Sequence, residues 1–235
     1  MNLRIPLLFF VCLISSFLRA QSGHAYYKKK LSVPNSEISD PYLGKAVKLL
    51  ESQQYELTFN KDFASFKKME RMNTETSRIV EAYANSFSNF TGEYYYNYHE
   101  KIGVHKEEFS GESFLIQNQI YNWVLKNEKL LIGQYLCFKA TTEVTIENST
   151  GSHKLIATAW YAPKISIPFG PDGFWGLPGL IVRLDYNGTI TSLKNIDFLK
   201  NENISVEFPT DGKQVTKKEY DEMVAKAFSK RFENY

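Results

Sequence analysis

The sequence is poor in cysteine and carries almost no net charge. Two cysteines among 235 residues are too few for a disulfide-rich miniprotein. The 28 basic and 26 acidic side chains nearly cancel. The chain as a whole therefore does not attract nucleic acid or anionic lipid, and we expect no nucleic-acid partner. The length suits one large domain or two small ones with a buried core, and the composition excludes collagen, coiled coil and a disordered tail.

Long apolar runs are also absent, except at the N-terminus. Arg4 precedes an uncharged and mostly apolar stretch over residues 5–18, and Ala20 offers a small residue for cleavage. This combination is typical of a secretory signal, and the stretch is too short to cross a bilayer. We expect residues 1–20 to be a signal peptide, with cleavage as late as residue 25 as an alternative. Residues 21–235 should then form a single exported domain without a transmembrane segment.

Hydrophobic spacing divides the rest of the chain into helices and strands. Asp40-Pro41 followed by apolar residues at helical spacing predicts a helix over 41–52, and the capping box Thr216-x-x-Glu219 predicts a C-terminal helix. Residues 74–87 are equally compatible with a helix and a loop. The polar residues 21–39 suggest a loose lead-in with room for a short strand.

From Tyr55 onward the apolar residues alternate with polar ones, which indicates strands. Asn187-Gly188 between two apolar runs is a strong hairpin signal. Sequential hairpins predict an α+β fold, in which two or three helices pack on one face of a curved antiparallel β-meander sheet of about 8–10 strands. A half-barrel is one form of this fold.

A segment rich in glycine, proline and aromatic residues lies between Trp160 and Leu184. Its prolines remove backbone donors, so it is not a central strand. Pro178-Gly179 suits the central pair of a type II turn, in which glycine supplies the positive φ. We expect the aromatic side chains of this segment to fold over the sheet as a lid; they are Phe169, Phe174 and Trp175.

The hexapeptide Gly176-Leu177-Pro178-Gly179-Leu180-Ile181 resembles the signature of the GLPGLI family of exported bacterial proteins. Residues 133–141, 159–161 and 167–171 strengthen the resemblance, and residues 55–60 are similar to that family's first core strand. Together they span about residues 55–198. The resemblance implies an exported protein of a Gram-negative cell envelope, in the periplasm or at the outer-membrane surface. It implies no reaction, because the family has no established activity or agreed catalytic residues. The hexapeptide itself is predicted to be a structural scaffold.

Cys137 is the lone cysteine once Cys12 leaves with the signal, so no intramolecular disulfide can form. Its apolar neighbours favour a buried, inert thiol. The alternative is an envelope hydrolase that uses Cys137 or dispersed carboxylates. In that hypothesis His153 faces Cys137 across a hairpin, and Asp172 or Asp185 orients the imidazole.

A metal site has weak support. Imidazole and carboxylate groups flank Gly103 and could act as ligands; they belong to His99, His105, Glu100, Glu107 and Glu108. Their spacing matches no metal signature, and charges on an edge hairpin are usually solvated. We therefore expect no metal and no cofactor.

Aromatic residues make up 15% of the chain. They either fill the core on both faces of the sheet or line a concave face that holds an apolar or carbohydrate ligand. The sequence therefore predicts a non-catalytic binding or accessory protein for such a ligand or for an outer-membrane partner. The expected ligand-contacting residues are Trp160, Tyr161, Phe174 and Trp175.

Overall fold

The computed structural model describes residues 22–33, 40–70, 76–118, 120–148, 151–199 and 204–232. The predicted signal peptide over residues 1–20 and its Cys12 lie outside the described residues. In the part of the chain that is described, no helix combines the length and the apolar character needed to cross a membrane.

The described residues form three helices and twelve strands. The helices are α1 (Pro41–Ser52), α2 (Arg78–Ser88) and α3 (Lys217–Phe232). The strands are β1 (Ser22–Leu31), β2 (Tyr55–Phe59), β3 (Phe63–Lys68), β4 (Glu93–Asn97), β5 (Ile102–Phe109), β6 (Glu112–Asn118), β7 (Val124–Ile132), β8 (Tyr135–Asn148), β9 (Gly151–Ala162), β10 (Leu180–Tyr186), β11 (Thr189–Leu199) and β12 (Lys213–Val215).

All twelve strands belong to one open sheet in the order β12-β6-β5-β4-β3-β2-β1-β11-β10-β9-β8-β7. Two meanders, β1–β6 and β7–β11, are joined because β1 pairs with both β2 and β11. Every pairing is antiparallel except that of β12 with β6. The predicted α+β fold with a curved, mostly antiparallel sheet is confirmed, with more strands than the approximate count expected from the sequence.

The N-terminal strand β1 differs most from its sequence-based description. Instead of a loose lead-in, Ser22–Leu31 is a ten-residue strand in the middle of the sheet. Ala25, Tyr27 and Lys29 alternate inward and are all buried. Lys29 made this strand look polar, although its side chain lies inside the protein.

Local capping signals predicted the helix boundaries well. The Asp40 carboxylate accepts hydrogen bonds from the backbone N–H groups of Tyr42 and Leu43, at 2.7 and 3.0 Å, and α1 begins at Pro41 as expected. The box that begins α3 is also formed, since the Thr216 N–H donates to Glu219 at 2.8 Å. In the ambiguous segment over 74–87, of which residues 76–87 are described, α2 begins at Arg78 and continues to Ser88.

One face of the sheet, which we call the inner face, carries the main core. The strand register brings the residues of this core together: Tyr27 lies opposite Tyr55, and Leu57 lies opposite Phe66. Phe169 and Trp175 cover this face, each with its ring centre 5.8 Å from that of Tyr96. The predicted aromatic lid therefore lies over the sheet and fills this part of the inner face.

The helices also lie on the inner face. The end of α2 contacts the Lys29 side chain, and Tyr220 of α3 packs on Phe114 and Ile116. Helix α1 packs on α2 through Ala46.

Candidate functional site

A tight turn places two functional groups beside the inner face. The Phe174 N–H donates to the Pro171 carbonyl at 3.0 Å, and the two central residues, Asp172 and Gly173, have φ values of 58° and 84°. Two positive φ values at an Asp-Gly pair are typical of a type I′ turn. This turn belongs to the segment that covers the sheet, and it carries the Asp172 carboxylate and the Phe174 ring.

Asp172 forms a buried ion pair with Lys29. Lys29 Nζ lies 2.6 Å from Asp172 Oδ1, and the two side chains are 0% and 7% exposed. Lys29 also donates to the Ser88 carbonyl at 2.8 Å, while the Thr191 hydroxyl donates to Asp172 Oδ2 at 2.8 Å. Both carboxylate oxygens therefore have a donor that fixes their orientation.

Aromatic rings surround the Lys29 ammonium group. Its Nζ lies 4.8 Å from the ring centre of Tyr55 and 5.3 Å from that of Phe90. Burial lowers the pKa of Lys29, and the nearby Asp172 carboxylate acts in the opposite direction. Ring faces attract a cation, so they offset part of the desolvation cost of the ammonium group.

A cavity of about 500 Å³ opens next to this turn. Strands β4–β6, strand β8, the end of β10 and the start of α3 enclose it. Its lining is aromatic, aliphatic and polar, and it includes Tyr94, His105, Asn118, Tyr121, Asp172, Phe174 and Tyr186 together with Ile116, Val144 and Ile146.

The aromatic lining forms two groups of packed rings. Phe174 stacks on Tyr121 with ring centres 4.4 Å apart and meets Tyr186 edge-on at 5.1 Å. On the other side, Tyr94 stacks on His105 at 4.3 Å. Burial raises the pKa of Tyr94 well above its usual value and raises that of Tyr186. Both phenols therefore keep their protons at neutral pH and can donate hydrogen bonds.

His105 is neutral in this environment. Burial lowers the pKa of its imidazole, against the opposing effects of the Thr91 carbonyl and Glu107. Its Nε2 lies 2.8 Å from the Thr91 carbonyl oxygen. Because a carbonyl only accepts hydrogen bonds, we assign the proton to Nε2, and Nδ1 is then an acceptor.

Amide and charged groups complete the lining. Asn118 donates to the Gly173 carbonyl at 2.9 Å and so ties β6 to the turn. Asn187 donates to the Asn89 side chain at 2.7 Å. At the start of α3, Lys217 pairs with Asp221, and both residues line the cavity. The site therefore combines flat apolar surfaces with hydrogen-bonding groups.

Only one of the four predicted ligand-contacting residues lines this cavity. Phe174 does so, whereas Trp160, Tyr161 and Trp175 do not. Phe174, Tyr161 and Trp175 are all buried, and Trp160 is partly buried. Ligand contact by these residues stays a prediction. Tyr121 and Tyr186 also line the cavity, but no short sequence pattern indicates them, because residues that are distant in the chain form the cavity.

The predicted type II turn at Pro178-Gly179, within the glycine–proline motif of residues 176–181, is wrong. The Gly179 N–H donates to the Leu177 carbonyl at 2.8 Å, which makes a three-residue turn around Pro178. The Leu180 N–H instead donates to Ile165, at 3.0 Å. Gly179 has the expected positive φ, at 150°, and a Cβ there would lie 2.4 Å from the Ala162 carbonyl oxygen.

The rest of the motif divides into exposed and buried positions. Gly176 and Pro178 are exposed, while Leu177, Leu180 and Ile181 are buried. These three apolar side chains anchor the segment to the core.

Cys137 and His153 do not face each other, so that prediction is wrong. His153 lies opposite Ile146 on the paired strand, whereas Phe138, next to Cys137, lies opposite Tyr161 at the far end of β9. Cys137 is buried, and burial raises the pKa of its thiol to about 11. The candidate carboxylates are also engaged: Asp185 pairs with Arg183 at 2.7 Å, and Asp172 with Lys29.

The two histidines near Gly103, His99 and His105, contact different partners. His99 Nε2 lies 3.2 Å from Asp62, whereas His105 stacks on Tyr94. Among the described residues, no three His, Cys, Asp or Glu side chains are grouped in a way that could hold a metal ion.

Comparisons with known proteins give one family match and one similar fold. Residues 147–183 match a family described as "Protein of unknown function (Porph_ging)". No curated protein is significantly similar to the chain. Two structures of PNGF-II, in space groups C2 and P21, have a TM-score of 0.53 and 16% identity over 88% of this chain. The chain spans 33% and 34% of those two chains. It is thus similar to an uncharacterised family over its motif segment, and similar in fold to one part of PNGF-II.

Proposed function

We propose that this chain is an exported cell-envelope protein of the GLPGLI family that binds a small apolar or carbohydrate ligand in the cavity beside Asp172. The hexapeptide over 176–181 supports the family, and it lies within the matched residues 147–183. The periplasm or the outer-membrane surface is the proposed location, on the basis of the N-terminal signal pattern.

The cavity is the observation that carries this proposal. Its volume of about 500 Å³ lies within the range of about 300–1,000 Å³ that is usual for small-molecule sites. Aromatic side chains with a few fixed polar groups are the usual lining of such sites. Here Phe174, Tyr121 and Tyr186 supply the rings, while Asp172 and Asn118 supply the polar groups.

The position of β1 supports removal of the signal after Ala20. Gly23 and Ala25 pair with β2 on one side and with β11 on the other. Cleavage after Ala20 would keep this central strand whole, whereas cleavage after Ala25 would remove its first four residues.

Binding can be tested by calorimetry and by tyrosine fluorescence with palmitate and with three saccharides: maltotriose, cellotriose and triacetylchitotriose. We expect at least one of them to bind, and the variant Tyr186→Ala to weaken that binding at least about tenfold through loss of a ring contact. Tyr98→Ala is the matched control, because Tyr98 is exposed and does not line the cavity. Lack of heat and of a fluorescence change with all four probes would contradict a ligand-binding role.

The hydrolase alternative gains no support from Cys137, because a buried thiol with a pKa of about 11 is protonated at neutral pH. Contact with an outer-membrane partner stays a prediction.

A further inference from the structure

We propose that the ligand is a pyranose saccharide and that Asp172 accepts hydrogen bonds from two of its hydroxyl groups. This inference rests on the proposed binding function and names the ligand class of the same cavity. It combines three properties of Asp172: its backbone conformation, its fixed carboxylate and its position among aromatic rings.

The backbone at Asp172 fixes the direction of its side chain. Its φ of 58° is the conformation that the first central residue of a type I′ turn requires, and aspartate tolerates it better than most residues. The buried ion pair with Lys29 has a cost, because two charges leave water. The fold therefore holds a charged carboxylate, 7% exposed, beside the cavity that Asp172 lines.

The carboxylate retains acceptor capacity after its internal contacts. An ionised carboxylate has about four lone-pair positions. Lys29 occupies one on Oδ1 and Thr191 occupies one on Oδ2, at 2.6 and 2.8 Å. About two positions remain, one on each oxygen. Two neighbouring hydroxyls on a sugar ring can donate to the two oxygens of one carboxylate.

The surrounding rings suit the other face of a sugar. Phe174 is itself buried, at 2% exposed, whereas Tyr121 and Tyr186, which pack against it, are half-buried and line the cavity. A pyranose has an apolar C–H face that can lie on such a surface, while its hydroxyls point outward to polar partners. The cavity offers both kinds of surface.

A purely apolar ligand fits this lining less well. A fatty acyl chain could contact Ile116, Val144 and Ile146, but it would also remove water from Asp172 and Asn118 without replacing the lost hydrogen bonds. Leaving such groups without partners is costly. The polar lining therefore favours a saccharide over a lipid chain.

The ligand class is tested by calorimetry on the purified protein with maltotriose, cellotriose and triacetylchitotriose, and with palmitate as the apolar probe. We expect at least one saccharide to bind, and its analogue lacking the contacted hydroxyl to bind about tenfold more weakly. Binding of palmitate alone would overturn this inference but leave the proposed binding function intact. Failure of all four probes would contradict both.

The role of Asp172 is tested with the double variant Lys29→Met/Asp172→Asn, which removes both charges together and keeps a residue that tolerates positive φ. We expect it to bind the saccharide about tenfold more weakly and to lose discrimination against the deoxy analogue. Arg183→Met/Asp185→Asn is the matched control, because it removes an ion pair that does not line the cavity. Unchanged affinity and discrimination in the Lys29/Asp172 variant would overturn the role of Asp172.

A second variant keeps the test informative if the double variant does not fold. Thr191→Val retains both charges and removes only the hydroxyl that donates to Asp172 Oδ2. We expect its discrimination between the saccharide and the deoxy analogue to fall about threefold. A purely structural role for Asp172 predicts that affinity for both ligands falls by the same factor, and that result would overturn the contact.

Discussion

Lys29 Nζ and Asp172 Oδ1 lie 2.6 Å apart, although 143 residues separate them in the chain. The pair joins the central strand β1 to the turn that precedes the glycine–proline motif. It lies between the hydrophobic core and the candidate cavity, so it bears on both stability and binding.

Removal of one partner of this pair should destabilise the protein. We expect Lys29→Met to lower the free energy of unfolding by about 3–5 kcal/mol, because Asp172 is left buried without its counter-charge. Urea unfolding measures the change. Lys29→Met/Asp172→Asn should recover much of the loss, since it removes both charges. A single variant as stable as the wild type would contradict this account of the core.

The two motif glycines should differ in their tolerance of alanine. Both have positive φ, but a Cβ at Gly179 would lie 2.4 Å from the Ala162 carbonyl oxygen, whereas a Cβ at Gly176 meets nothing within 4 Å. Gly176→Ala should therefore cost about 1 kcal/mol from backbone strain alone. Gly179→Ala should cost clearly more, which thermal unfolding of the two variants will measure. Equal melting temperatures would argue against a close backbone approach at Gly179.

The Cys137 thiol should be unreactive in the folded protein. Burial shields it and raises its pKa to about 11, so little thiolate is present at neutral pH. We expect a thiol reagent to label it slowly until denaturant is added. Leu131→Cys in a Cys137→Ala background is the control, since Leu131 is 67% exposed and a cysteine there should react at once. Rapid labelling of native Cys137 would revive the hydrolase hypothesis.

His105 should make stability fall at mildly acidic pH. Burial lowers the pKa of the folded-state imidazole, so below about pH 6.5 the unfolded state binds a proton that the folded state does not. Stability should therefore decrease as pH falls through about 6.5, by up to about 1.4 kcal/mol per pH unit.

The variant His105→Asn should have a flatter pH profile of unfolding free energy in this range. His99→Asn, at an exposed position, is the matched control and should keep the wild-type profile. If His105→Asn also keeps that profile, His105 is not the group responsible.

The start of the mature chain should affect stability. A chain that begins at Tyr26 lacks the pairs of Gly23 and Ala25 with β2 and β11. We expect it to be less stable than a chain that begins at Gln21, by about 2–4 kcal/mol from lost ladder hydrogen bonds. Urea unfolding of the two chains tests this. Equal stability would mean that the first residue pairs of β1 contribute little to the free energy of unfolding.

Several elements were predictable because their signals are local. The Asp40 cap, the Thr216–Glu219 box and the Asn187-Gly188 turn each involve residues within a few positions of one another, and each forms as expected. Alternating apolar residues likewise indicated most of the strands, because side chains in a strand point to opposite faces.

The position of β1 and the identity of the cavity were not predictable in this way. Lysine side chains are usually exposed, so the sequence around Lys29 suggested a position in solvent. Its burial is possible because its ammonium group meets the long-range partners Asp172 and Ser88. Tyr121, just before β7, and Tyr186, at the end of β10, meet at one cavity only in the folded sheet, and no short spacing in the sequence encodes that meeting.

The sequence alone determined the caps of α1 and α3 and the turn at Asn187-Gly188, since each depends on neighbouring residues. Only the tertiary structure decided which charges are buried, that Cys137 and His153 are far apart in register, and which aromatic rings surround a cavity. The physical reason is that strand order and register are set by the packing of the whole inner face. Residues from both meanders must come together before Lys29 can meet Asp172.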